Sequence, residues 1–168
     1  NETSTGVQLS SLPTVDENCL LAVDATSGAG QVPCDVSKTD IFFFSPQKVF
    51  ASDGGLFVAI FSPKALKRAE EMGKRKDRYI PIIMRWSDAI SNSKNNQTYN
   101  TPALATIFFL DEQIKAMNEL GYAEVIKEAQ RKADLLYSWA EKKDYLSCYV
   151  KDKKFRSLAV ATIDRSEE

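Results

Sequence analysis

Three positions pair a reactive side chain with a setting that could put it to use. Asp24 stands at the end of the apolar run Cys19-Leu20-Leu21-Ala22-Val23. A carboxylate closing a buried strand lies where open α/β sheets place their ligand sites. Lys48 follows the run Ile41-Phe42-Phe43-Phe44 and the turn Ser45-Pro46-Gln47, with Val49-Phe50 after it. A lysine in such apolar company is costly to keep charged, and an amine held neutral can form a Schiff base or shuttle a proton. Asn100-Thr101 precedes Pro102 at the expected start of a long helix. Unpaired backbone N–H groups and the helix dipole make such a start a ready anion site. Each position also has a plainer reading. Asp24 can be a cap or turn residue before Ser27-Gly28-Ala29-Gly30. Lys48 can lie on a turn, its ammonium in water and its stem over the phenylalanines. Bare helix N-termini are common and of low specificity.

Strands must position the first two residues and a helix the third. Cys19–Val23, Ile41–Phe44 and Leu56–Phe61 are continuous apolar runs ended by Asp24, Ser45-Pro46 and Ser62-Pro63. Runs of this kind predict strands buried on both faces, inside an α/β sheet, with Cys19 in the core. The segments between them are short and rich in Gly and Pro, so some strands are expected to pair antiparallel or to interleave with strands absent from this chain. Lys64 to Lys76 has helical spacing, with Lys74-Arg75-Lys76 as a solvated helix end. Ser91 to Asn100 reads as a polar loop. Thr101 is the expected N-cap and Pro102 the first residue of a helix running to about Leu120, which Gly121 ends. A second long helix is expected from Tyr122 to Lys143, then strands at Ser147–Val150 and Leu158–Ile163. This order predicts a large unit over residues 1–143 and the start of a small α+β unit over 144–168.

Composition narrows the chemistry. The 168 residues carry 22 Lys+Arg against 23 Asp+Glu and no histidine. Near-neutral charge argues against nucleic acid or an anionic membrane as main partner. Without histidine the chain holds no Ser-His-Asp or Cys-His nucleophile and no His-ligated metal. Cys19, Cys34 and Cys148 are widely spaced and predict neither a disulfide framework nor a zinc site, which fits a reducing cytoplasmic compartment. No apolar run reaches the ~20 residues of a membrane-spanning helix. The sequons at Asn1 and Asn96 read as accidental.

A strand-end acid, a lysine and a phosphate-sized anion site together suit a pyridoxal 5′-phosphate enzyme. Asp40–Gly55 (DIFFFSPQKVFASDGG) and Gln97–Ala103 (QTYNTPA), with NET at the start and VDATS at Val23–Ser27, resemble the phosphoserine aminotransferase family. That family is class V and fold type I among pyridoxal-phosphate enzymes, and the similarity runs through the whole chain. The resemblance implies a mixed, mainly parallel sheet in an aspartate-aminotransferase-like large domain, followed by the start of a small C-terminal domain. Lys48 matches the lysine bonded to the cofactor, and Gln47 a residue that binds it. Asp24 matches the carboxylate paired with the pyridine nitrogen, and Thr26 would lie near the ring face. Thr3 matches the threonine beside the ring's phenolic oxygen. Asn100 and Thr101 match a pair that reaches the cofactor phosphate of the neighbouring subunit, which implies a homodimer. The implied reaction is ping-pong transamination from glutamate to 3-phosphohydroxypyruvate, giving O-phosphoserine for serine biosynthesis.

Family members are longer. Relative to them the chain starts in mid-domain without an initiator Met and stops early in the small domain. The ring-stacking aromatic, the phosphate loop of the same subunit and the substrate-binding His and Arg positions are absent. The expectation is therefore a central fragment that binds cofactor weakly and turns over poorly by itself. Two alternatives stand beside it: another class V aminotransferase, of the serine or alanine–glyoxylate type, and a non-catalytic remnant. Cysteine desulfurases fit less well, because they place a histidine where this chain has Gln47.

Overall fold

The structure is a computed structural model that describes residues 2–9 and 11–166; Asn1 of the NET motif, with its sequon, lies outside them. The early apolar runs form one mixed sheet in the order β1 (Ala22–Asp24), β2 (Ile41–Phe44), β3 (Val58–Phe61). β1 runs parallel to β2, with Asp24 opposite Phe43. β3 runs antiparallel to β2, with Phe44 opposite Val58. This is the α/β class expected, antiparallel member included.

Burial on both faces is not what the strands show. Phe42 is buried, but Ile60 stays 49% exposed and β1 alternates exposed and half-buried. α1 (Pro63–Gly73) packs on β3 but also on α2 (Trp86–Lys94), and α3 (Leu104–Leu120) packs on α4 (Tyr122–Glu141), so the helices turn part of their apolar faces to one another. Cys19 is exposed, not a core residue, because the strand begins only at Ala22. Asp40 fixes that entry point. Its backbone N–H donates to Leu21 O (2.9 Å), and its carboxylate accepts from Leu21 N (2.9 Å) and Ser62 Oγ (2.7 Å). These bonds, led by the one from Leu21, hold the Asp40 carboxyl below the usual carboxylate range.

Helix ends follow local chemistry. Ser62 caps α1 by accepting from Ala65 N, with Pro63 next to it in the first turn. α1 stops at Gly73, short of the expected Lys76. A Cβ there would sit 2.7 Å from Ser87 Oγ, so glycine permits the close approach of α2. α2 is unexpected from the sequence and takes Ser91–Lys94 out of the predicted loop. α3 begins at Leu104, not at Thr101-Pro102. Ala103 occupies the cap position without a side-chain bond. The residue ahead of a proline is pushed away from helical geometry, and the first turn is docked elsewhere. Thr106 Oγ1 donates to Gly54 O (3.0 Å), and Ser52 Oγ donates to Thr106 O (2.6 Å). Gly121, at φ +89°, divides α3 from α4.

A second sheet pairs β4 (Leu146–Cys148) antiparallel with β5 (Ile163–Arg165). Most of the strand expected at 158–163 is irregular instead. Tyr137 OH donates to Ser157 O (3.0 Å), and Leu158 and Ala161 pack on the buried cluster of Ala133, Tyr137, Ala140 and Cys148. The amino-terminal segment joins this region. Val7 bridges Arg156, Gln8 N donates to Phe155 O (2.8 Å), and Ser157 N donates to Gly6 O (3.0 Å).

Candidate functional site

At the carboxyl end of the parallel pair, β1 and β2 deliver two turns side by side. Asp24 closes β1 and is exposed; its Oδ1 accepts from Thr26 N (2.9 Å) and bends the chain. Ala25 N donates to Phe43 O (2.8 Å), and Gly28 N and Ala29 N both donate to Ala25 O. The turn is thereby fixed to β2 and wound into a single coil. Thr26 is half-buried and Ser27 is buried. Ser27 Oγ lies 2.7 Å from Thr3 Oγ1, which brings the amino-terminal segment to the same end of the sheet.

Thr3 sits in a hairpin closed by Glu2 N donating to Val7 O (2.7 Å). The Glu2 carboxylate accepts from Ser4 N (2.8 Å), Thr5 N (2.7 Å) and the Thr5 hydroxyl (2.5 Å). The Thr5 hydroxyl contributes most to drawing its pKa down from 4.5 to about 2. Gly6, at φ +72°, is the turn residue; a Cβ there would lie 2.9 Å from Val160 O.

Gln47 and Lys48 lie exposed on the turn after β2, whose base is the buried Pro46. Ala51 N donates to Lys48 O (3.0 Å), Ser52 N to Pro46 O (3.2 Å), and Ser45 Oγ to Leu56 O (2.7 Å). The phenylalanines expected to enclose Lys48 stack on each other, Phe44 on Phe50 at 4.9 Å between centroids. The setting of Lys48 is thus the plainer one, an amine in water on a braced turn. An apolar cavity of about 260 Å³ lies among Ala29, Phe42, Phe50 and Met117, but none of Thr3, Asp24, Thr26, Gln47 and Lys48 lines it. The polar groups stand on the rim formed by the strand ends.

Asn100 and Thr101 stand apart, exposed on the loop ahead of α3. Asn100 O accepts from Thr98 Oγ1 (2.5 Å). The structure therefore gathers Thr3, Asp24, Thr26, Gln47 and Lys48 at one end of the sheet and leaves Asn100 and Thr101 outside that group. The Thr106 latch to residues 52 and 54 is the link between the Lys48 turn and the start of α3. Ser27 was not anticipated. The signal for it was a hydroxyl in a coil of small residues just past a strand-ending aspartate.

Residues 1–166 match the family described as aminotransferase class-V. A phosphoserine aminotransferase of Corynebacterium glutamicum (strain R) is 48% identical over 166 residues, 98% of this chain and 44% of that protein. One from Nocardioides sp. is 46% identical over 168 residues, 98% of this chain and 45% of that protein. Among solved structures, the phosphoserine aminotransferase of Cytophaga hutchinsonii superposes with a TM-score of 0.76 at 29% identity, covering 94% of this chain and 45% of its own. That of Bacillus circulans subsp. alkalophilus superposes at 0.80 and 24% identity, covering 99% and 43%, a likeness of fold. The chain spans less than half the length of the curated relatives it matches.

Proposed function

The chain belongs to the class-V aminotransferase family, and on that premise we propose that it carries the ring-binding side of a phosphoserine aminotransferase site. The observation that carries this reading is the convergence of Asp24, the Thr3–Ser27 pair and the Lys48 turn on the carboxyl ends of β1 and β2. The donor set fits pyridoxal 5′-phosphate: an acid, an amine and a hydroxyl answer a pyridine nitrogen, an aldehyde and a phenolic oxygen. When bound, that cofactor supplies an electron sink for amino-group exchange.

The residues divide the work. Asp24, with Oδ1 engaged by Thr26 N, offers its other oxygen to the ring nitrogen and keeps that nitrogen protonated. Thr3 hydrogen-bonds the phenolic oxygen, Thr26 lies near the ring face, and Gln47 helps hold the cofactor. Lys48 would hold the cofactor's aldehyde through Nζ and, with its amine free, would hold the proton removed from the substrate α-carbon. Glutamate is the donor and leaves as 2-oxoglutarate; 3-phosphohydroxypyruvate accepts the amino group and leaves as O-phosphoserine.

The reading includes a homodimer in which Asn100 and Thr101 reach the partner's cofactor phosphate. Their exposure on a loop outside the Asp24 group supports it. It also includes a cytoplasmic setting, and a division between residues 1–143 and 144–168, supported by the change from helices to a second sheet after α4. Among the described residues, no helix is long and apolar enough to cross a membrane.

The test is to add pyridoxal phosphate, reduce with borohydride and map the labelled peptide. Label on Lys48 is expected. An unlabelled chain, or label scattered over surface lysines, overturns the cofactor assignment. Glutamate-dependent consumption of 3-phosphohydroxypyruvate then tests the substrate, and a preference for alanine and glyoxylate would overturn that part.

A further inference from the structure

Thr3 is exposed, yet its hydroxyl lies 2.7 Å from that of Ser27, which is only 9% exposed. Two hydroxyls at this distance share one proton, so one donates and the other accepts. A buried donor needs an acceptor inside the protein, whereas an exposed one has water or a ligand. Either hydroxyl can be the donor; the burial of Ser27 favours the arrangement in which its proton goes to Thr3 Oγ1 and the Thr3 O–H is free to turn outward.

Both partners are held in place. Ser27 sits in the coil formed by the Thr26 N to Asp24 Oδ1 bond and the bonds to Ala25 O. Thr3 sits in the hairpin that Glu2 braces and that Gly6 and Val7 fasten to Ser157 and Arg156. These bonds fix the backbone from which each hydroxyl projects.

We propose that Ser27 is a positioning residue that acts through Thr3. By filling one lone pair of Thr3 Oγ1, it would aim the Thr3 proton at the phenolic oxygen of the bound ring. This rests on the cofactor reading above. A donor to that oxygen favours its anionic form, so losing the aim raises the pH at which the lysine-bound cofactor's visible band changes.

The experiment compares wild type, Ser27→Ala, Thr3→Val and the double variant, each in the full chain with pyridoxal phosphate. It reads the cofactor dissociation constant, the pH midpoint of the visible band and melting without cofactor. Ser27→Ala is expected to weaken cofactor binding roughly 3- to 10-fold and to raise the midpoint by about half a pH unit. In the Thr3→Val background the same change should do neither, because a residue acting through Thr3 has nothing left to aim. Ser27→Cys, close in size but a weak donor, should shift the midpoint the same way by less, and stands in if the alanine variant does not fold. A midpoint equal to wild type, or an equal shift with and without the Thr3 hydroxyl, overturns the proposal. A wild type without the band overturns the cofactor reading, and the proposal with it.

Discussion

At the end of β1, Asp24 is turned by Thr26, Thr3 is paired with Ser27, and the Lys48 turn is tied down at Ser45, Ala51 and Ser52. The loop carrying Asn100 and Thr101 has a different economy. Both residues are exposed, and the hydrogen bond at Asn100 comes from Thr98 within the same loop. The first region carries its order in its own chain before any ligand arrives. The second presents polar groups whose order must come from what they face. Side chains that are preorganised lose less freedom on binding, so the two regions should respond differently to mutation.

The sharpest break in that contrast is at Asp24. Asp24→Ala should cut turnover by about 10²- to 10³-fold with little change in melting, read by coupled assay and thermal unfolding. Comparable turnover would remove Asp24 from the chemistry. Next is Thr106→Val, which removes the hydroxyl bonded to Gly54 O at a 2%-exposed position. Urea unfolding should show a loss of about 1–2 kcal/mol, with weaker cofactor binding as the Lys48 turn loosens. At the loop, Asn100→Ala should weaken cofactor binding by about tenfold or less and leave cofactor-free melting unchanged. A clear fall in that melting would erase the distinction between the regions.

The smallest effect is the acid response of the Thr3 hairpin. Glu2 has a folded pKa near 2 against 4.5, so its stabilisation is complete above pH 4.5 and is lost as pH falls toward 2. Hydrogen exchange at residues 3–7, taken relative to the intrinsic rate at each pH, should rise across that window in wild type. In Glu2→Gln it should be raised already at neutral pH and change little with acid. Asp40 and Glu141 are also held low and act with the same sign, so global acid unfolding is the wrong readout for this variant.

What was legible in the sequence followed from patterns that tertiary contacts do not rewrite. β2 is continuous apolar sequence ended by Ser45-Pro46, and α3 and α4 meet at Gly121, the one nearby residue suited to a φ of +89°. Reading failed where a distant partner decides. Cys19 falls outside the strand because Asp40 captures Leu21 two residues later. α3 starts at Leu104 because its first turn docks on Ser52 and Gly54. α2 is stabilised against α1 at Gly73, which its own polar sequence does not announce. The site divided the same way. Asp24 and Lys48 were marked by adjacent apolar runs, whereas the Ser27–Thr3 contact spans 24 residues and leaves no local pattern.

The bridge between the amino-terminal hairpin and residues 155–158 has a consequence for how the molecule is made. Gln8 Oε1 accepts from Leu158 N across 150 residues of chain. During synthesis the hairpin emerges 150 residues ahead of the anchor for Gln8. The entropy of closing so long a loop grows only logarithmically with length, but contacts of such high sequence separation form slowly. The Asp24 coil can assemble as soon as β2 is available, while Thr3 gains its fixed place only with the second sheet. Refolding should therefore show two stages at one end of one sheet, with the Thr3 hydroxyl arriving last.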